Sequence, residues 1–293
     1  LLLGRTSFAL LVATTLLHFA AVAAGVVVAR RVGGTSLAVL VALVAAALDH
    51  SLGAQFFLTP WNPWMPVLAF LLFLILVFAC ARGRLLAAPF AVAVGTYCAQ
   101  THVSYMVLVH GMLGLLLLWL VLQAWRGWNA LAWRAVIRTS VISAGVALVM
   151  WLPPIYDQLR RTKNLSRLYH HFADSTEQTV GLRNATKAML SEWNLGGAFL
   201  SGARHNPATS EPSLTGLLLF AALVIGALVV SLRRRDAPAL TLQAVALAAA
   251  LLGWVSTTRI IGDFYDYVIR WSWLVGALLL VSALWALWRA AAD

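Results

Sequence analysis

The chain has 293 residues, 62% of them hydrophobic and only 11% charged, with a mean hydropathy of +0.86. This composition excludes an ordinary water-soluble globular domain and is that of a polytopic membrane protein. A net charge of +11 would point to nucleic acid in a soluble chain, but here the basic residues sit in short clusters between apolar runs and read as topology signals, with no nucleic-acid partner.

The apolar runs are continuous rather than alternating, so helices are expected and a barrel is not. The predicted fold is an all-α polytopic bundle, one transmembrane domain over residues 1–293. Nine spans are predicted, at about 7–29, 35–52, 64–81, 85–100, 103–125, 136–153, 214–232, 239–257 and 268–288. Most approach the roughly 20 residues needed to cross about 30 Å of hydrocarbon. The run 85–100 contains Pro89 and Gly95, and a re-entrant pair with its neighbour is its alternative reading. Arg30 and Arg31, Arg82 and Arg84, Arg126 and Arg134, Arg233 to Arg235, and Arg289 fall in every second connection, which makes those connections cytoplasmic. Nine crossings that end inside begin outside. The opening "LLLGRTS" has neither the n-region nor the cleavage site of a signal peptide, so a preceding segment with at least one more span is expected. Cys80 and Cys98 lie in separate runs without metal spacing, and neither a disulfide nor a reactive thiol is expected.

With this topology the external side receives four polar clusters. The first, "ALDHSLGAQFFLTPWNPWMP", sets Asp49 and His50 at a helix mouth, followed by a rigid extended connector through Pro60, Pro63 and Pro66. Trp61 and Trp64 read as headgroup anchors. A carboxylate such as Asp49 at the end of an apolar helix is costly unless hydrated, paired or bound to a cation. The second cluster, "QTHVSY", contributes Gln100, His102 and Tyr105, with His102, Tyr105 and Met106 on one helical face by their spacing. His110, further in, reads as a bond to a neighbouring helix or as part of a ligand site.

The third cluster is an external loop of roughly 60 residues, 154–213. Pro153 and Pro154 are expected to end the preceding helix, and Asp157, Arg160 and Arg161 to form an amphipathic turn at the membrane surface. These arginines suit either ordinary headgroup contact or a bidentate grip on a lipid phosphate. His170 and His171 are adjacent and diverge on a helix, a weak metal signal. The fourth cluster, "TTRIIGDFYDYVIRW", sets Arg259, Asp263, Asp266 and Arg270 among aromatic residues. Mutual pairing and phosphate binding are both open for it. Walker-type phosphate loops, HExxH, GxSxG, CxxC pairs and internal repeats are absent from the sequence.

Four segments together, "GAQFFLTPWNPWMPVLAFLLF", "CAQTHVSY", "WLPPIYDQL" with the nearby "NLSRL", and "RIIGDFYDYVIRWSW", resemble the GT-C superfamily of polytopic glycosyltransferases, in particular bacterial proteins related to the family 39 mannosyl and aminoarabinose transferases. The resemblance implies an inner-membrane enzyme that moves a hexose or pentose from a polyprenyl-phosphate donor to an envelope glycan, lipid or protein on the external face. It also implies that the main catalytic aspartate lies in a first external loop upstream of Leu1. Asp49 then matches a supporting acidic residue near the donor phosphate and a divalent cation, Mg²⁺ or Mn²⁺. His50, Gln100, His102, Tyr105, Asp157, Arg160, Arg161, Arg259, Asp263 and Arg270 become the candidate substrate-binding residues. The chemistry is consistent with this assignment, because the acceptor hydroxyl needs a base and the departing phosphate needs cations. Two other classes stay open: a transporter or lipid flippase with His110 and Gln100 along its path, and a non-catalytic scaffold for envelope assembly.

Overall fold

The computed structural model describes residues 6–126, 130–203 and 206–292. Among them are twelve α-helices, and the only β-type pairing is one antiparallel bridge, Thr179 with Ile261. Six helices are long and apolar enough to cross a membrane: Ser7–Leu52, Val103–Trp125, Trp133–Arg160, Leu214–Arg234, Ala237–Thr258 and Asp266–Ala292. Two shorter apolar helices, Val67–Ala81 and Leu85–Thr101, lie among them. The protein is a helical membrane protein.

The first element, α1 (Ser7–Leu52), is a hairpin. Its 46 residues would run about 69 Å as one straight helix, holding His18 on the order of 50 Å from the far end. Instead the His18 ring lies 4.8 Å from that of Phe56, just past that end. The reversal occurs at Gly34, whose φ of 81° and ψ of −174° leave the helical region; a residue without Cβ adopts this geometry at little cost. Trp285 pins the turn, its Nε1 donating to Ser36 Oγ at 3.2 Å. Along the first half Thr14, His18, Ala21, Gly25 and Ala29 form the buried stripe, a row of mostly small residues that admits close packing on the next long helix.

That helix, α3 (Val67–Ala81), follows a five-residue helix α2 (Ala54–Leu58). Every residue from Val67 to Cys80 is buried, the expected fate of a helix that is apolar all round. It touches α1 and four further helices: α4 (Ala88–Thr101), α5 (Met106–Trp125), α11 (Ala237–Thr258) and α12 (Trp271–Ala292). Cys80 and Cys98 are both buried and unbridged. The proline connector before α3 is turned, not extended as expected. Trp64 N donates to Trp61 O at 2.9 Å, Met65 N to the same oxygen at 3.1 Å, and Val67 N to Trp64 O at 3.1 Å. Proline's fixed φ suits a helical turn as well as an extended chain.

Two further expectations are corrected. His102 is an extended residue (φ −150°, ψ 132°) joining α4 to the short turn Val103–Tyr105, so His102, Tyr105 and Met106 do not share a regular helical face. Secondly, α6 (Ala130–Arg160) continues through Pro153 and Pro154 to Arg160. Pro154 removes the N–H that would have bonded to Met150 O, and the Gln100 side chain supplies a replacement, Nε2 donating to that oxygen at 2.9 Å. Satisfaction of the freed carbonyl by a neighbouring helix is what lets an apolar helix tolerate proline.

The segment 154–213 contains the end of α6 and three short helices, α7 (Asn164–Ala173), α8 (Gly181–Glu192) and α9 (Ala198–Ser201). α7 packs on α6, α8 on α11 and α12, and α9 on α1 and α12. Beyond it α10 (Leu214–Arg234) leads through Arg235, in the left-handed region at φ 52°, to α11. Ala227, Ala239, Ala283 and Ala286 make a small core where α10, α11 and α12 meet.

The contacts sort the molecule into two ends. Trp285 to Ser36, Trp119 Nε1 to Ala81 O at 3.4 Å, and Arg289 Nε to Asp236 Oδ2 at 2.7 Å tie together the arginine-bearing end. Tyr97 OH to Met65 O at 3.4 Å and Trp193 Nε1 to Ser272 O at 3.0 Å tie together the opposite end.

Where α11 and α12 approach at that second end, a Cβ on Gly253 would stand 2.2 Å from Cζ3 of the buried Trp271 ring. Gly253→Ala is expected to lower unfolding stability in detergent by about 1–3 kcal/mol through overpacking. Gly253→Ala combined with Trp271→Leu is expected to recover part of that loss relative to Trp271→Leu alone, read by a denaturant or thermal double-mutant cycle.

Candidate functional site

Three of the four sequence clusters meet at the end opposite Arg82, Arg235 and Arg289, through a run of ring contacts. The His18 and Phe56 centroids are 4.8 Å apart, Phe56 and Trp64 5.9 Å, Trp64 and Trp61 5.3 Å, Trp61 and Tyr267 4.8 Å, and Tyr267 and His102 6.4 Å. The 49–64 connector, the 100–105 turn and the 259–270 connection are thus joined side chain to side chain. Trp61 and Trp64, expected only as interfacial anchors, are links in this run. His18 was not foreseen. It is 1% exposed, lies against Phe56 and Phe57, and neither ring nitrogen has a hydrogen-bond partner. The one signal for it was a histidine inside an apolar span.

Asp49 sits in the last turn of α1, half-buried, with Oδ1 shielded from solvent and lacking a hydrogen-bond partner. Its backbone carbonyl accepts from Gly53 N at 3.1 Å. The hairpin geometry explains its surroundings. Residues equally far on either side of Gly34 lie at equal depth, so Asp49 and Ser51 share the level of His18. Ser51 Oγ is also buried without a partner. The residue that ends α9 closes over this level, for a Cβ on Gly202 would stand 3.0 Å from Ser51 O. His50, next to Asp49, is exposed.

In the second cluster, Ser104 N donates to His102 Nδ1 at 3.3 Å, and Ser104 Oγ lies 2.7 Å from the same nitrogen. Nδ1 therefore accepts, and the neutral ring carries its proton on Nε2. Burial lowers the His102 pKa, which favours this neutral form. Tyr105 is buried against Phe70 with its hydroxyl unpartnered. Gln100 is engaged on Met150 O, and His110 on Met106 O one turn back at 2.8 Å, with Nδ1 2.8 Å from the oxygen.

In the fourth cluster Arg270 pairs with Asp266 and its guanidinium lies 4.2 Å from the Trp273 ring centroid. Asp263 accepts from Tyr265 OH at 2.9 Å. That hydrogen bond and the Asp263 charge hold the tyrosine pKa above its ordinary range. Arg259 is exposed, with no carboxylate partner among the described residues.

The third cluster divides. Its later part joins the site: Val180 N donates to Ile260 O at 2.8 Å beside the Thr179–Ile261 bridge, and Trp254 Nε1 donates to Thr186 Oγ1 at 2.9 Å. Its earlier part stands on α6 and α7. Asp157 accepts from Thr162 Oγ1 at 2.7 Å and from Asn164 N at 3.1 Å, while Gln158 Oε1 accepts from Ser166 N at 3.0 Å. These two side chains satisfy the first amides of α7, whose own preceding residue, Lys163, offers no side-chain cap. Asp157 therefore has a capping role. Arg160 is exposed, and Arg161 lies 5.8 Å from the Tyr156 ring centroid. His170 pairs with Asp174 at 2.9 Å rather than with His171.

Among the described residues no group of three or more His, Cys, Asp or Glu side chains is arranged to hold a metal. The chain matches no protein-family model, no curated protein and no solved structure.

The role of Gln100 is separable from ligand binding. Gln100→Ala leaves Met150 O bare and is expected to cost about 1–3 kcal/mol. Pro154→Ala restores a helical N–H for the same oxygen, so the double variant is expected to recover most of that loss in an unfolding titration. Recovery of stability without Gln100 identifies the side chain as a helix-satisfying group.

Proposed function

We propose that the chain is a multi-pass glycosyltransferase of the GT-C type in a bacterial inner membrane, transferring a sugar from a polyprenyl phosphate to an envelope acceptor. In this reading the chain crosses the membrane nine times, the two halves of α1 counting separately, with the arginine-bearing end cytoplasmic and the polar end external. The observation that carries the reading is Asp49: a carboxylate oxygen enclosed without a partner at the end where three polar and aromatic connections converge. An ionised group so placed has a standing demand for a proton donor or a cation, which a sugar hydroxyl or a donor-bound cation meets.

The other residues then take roles by what they already bind. His102, neutral with Nε2–H available, suits donation to a sugar hydroxyl or phosphate oxygen. Trp61, Trp64 and Tyr267, the partly exposed rings of the run, offer faces on which sugar rings and isoprenoid carbons pack. Arg259 is the residue of its cluster left to grip the donor phosphate, since Arg270 is paired with Asp266. A divalent cation fits through a single oxygen from Asp49, as Mg²⁺ is commonly held by one or two carboxylates with substrate phosphates; it would supply charge for the departing phosphate. Transport is supported less, because Gln100 and His110, the two groups proposed to line a path, are both committed to backbone carbonyls.

The test is sugar transfer by the reconstituted full-length protein with a mixed pool of polyprenyl-phosphate sugars. Asp49→Asn is expected to reduce the rate by about 10²- to 10³-fold, the range for loss of one group that stabilises developing charge, with its unfolding midpoint retained. Absence of transfer from every donor by the wild-type protein, or an unchanged rate in Asp49→Asn, overturns the proposal.

A further inference from the structure

At the arginine-bearing end, far from Asp49, an apolar groove of about 810 Å³ opens between the last turns of α3, the second half of α5 and the first half of α11. Its size is that of a small-molecule site. Leu115, Leu116, Met112 and Val77 supply hydrocarbon, and Ala244 and Ala248 of α11 leave the space that larger residues would fill. Polar groups are few and belong to one end: Arg82, Gln123 and Thr241. Thr241 spends its hydroxyl on Ala237 O at 2.7 Å. Arg82 caps α3, is exposed, and has no carboxylate partner among the described residues. No acidic residue lines the groove.

We propose that this groove holds an anionic phospholipid of the arginine-side leaflet, its acyl chain along α5 and α11 and its phosphate on Arg82. The occupant follows from charge and position. The walls are apolar helices of a membrane protein, so hydrocarbon reaches them from the bilayer, and the one unpaired charge is a guanidinium, which takes phosphate bidentately. A second copy of this chain would have to present an acidic group at Arg82, and the carboxylate described at this end, Asp236, is engaged with Arg289. The site is independent of any sugar chemistry at the opposite end.

Trp119 lines the groove and is a built-in reporter. The full chain is placed in phosphatidylcholine nanodiscs doped, at equal low mole fraction, with brominated-acyl phosphatidylglycerol or brominated-acyl phosphatidylcholine. Quenching assigned to Trp119 is the difference between wild type and Trp119→Phe. The expected result is a preference for phosphatidylglycerol of about fivefold, the value of one arginine near a membrane surface. Arg82→Gln is expected to abolish the preference, Arg82→Lys to keep it, and Ala244→Phe to remove quenching by both lipids, each variant retaining its own unfolding midpoint. Equal quenching by the two lipids shows ordinary boundary lipid and overturns the proposal, as does a Trp119 that neither lipid reaches because a second copy covers it.

Discussion

Within hydrocarbon every backbone N–H and C=O must find a partner inside the protein, and the architecture follows from how this chain meets that demand. Helices satisfy it along their length, so the informative places are where helices bend, start or lose a donor. At Gly34 the chain reverses where a positive φ is cheap and Trp285 holds the turn. At Pro154 the missing amide is replaced by Gln100 from a neighbouring helix. At the start of α7, Asp157 and Gln158 from the end of α6 cap amides that Lys163 leaves bare. The same demand turns several polar residues that look like ligand contacts into parts of the scaffold.

What is left over after that demand is met defines the candidate site. His18, Asp49 Oδ1, Ser51 Oγ and Tyr105 OH are enclosed at the polar end without partners, while the rings around them pack closely. Desolvated polar groups without partners are unfavourable to folding. Buried unpartnered groups also occur elsewhere, at Ser143 on α6 and Gln243 on α11; what sets the polar end apart is that such groups lie there beside the joined connections, whereas α3 is enclosed on every side by hydrocarbon.

The helical membrane character was legible in composition and in continuous apolar runs, because the bilayer reads those properties directly. So was the grouping of the connections that carry Arg30 and Arg31, Arg82 and Arg84, Arg233 to Arg235, and Arg289, which contacts among Ser36, Ala81, Asp236 and Arg289 bring to one end, while Arg160, Arg161, Arg259 and Arg270 lie in the other clusters. The convergence of Trp61, His102 and Tyr267 was legible only as three clusters predicted to share a side; their actual contact depends on packing that no local pattern encodes. The continuation of α6 was misread for the same reason. Pro153 and Pro154 are helix breakers locally, and the group that offsets Pro154 comes from Gln100, fifty positions before the Met150 carbonyl it serves. His18 escaped notice because its depth matters only once the hairpin at Gly34 brings Phe56 back beside it.

The antiparallel bridge between Thr179 and Ile261 has a mechanical consequence. It ties the long segment to the α11–α12 connection near its middle and so divides the segment into two arms of unequal independence. The arm bearing α7 packs on α6. The arm bearing α8 and α9 packs against α1, α11 and α12 and is held by the bridge to the connection that carries Arg259 to Arg270. A displacement of that arm would therefore load the bridge at Thr179–Ile261 and, through it, the connection that carries the fourth cluster.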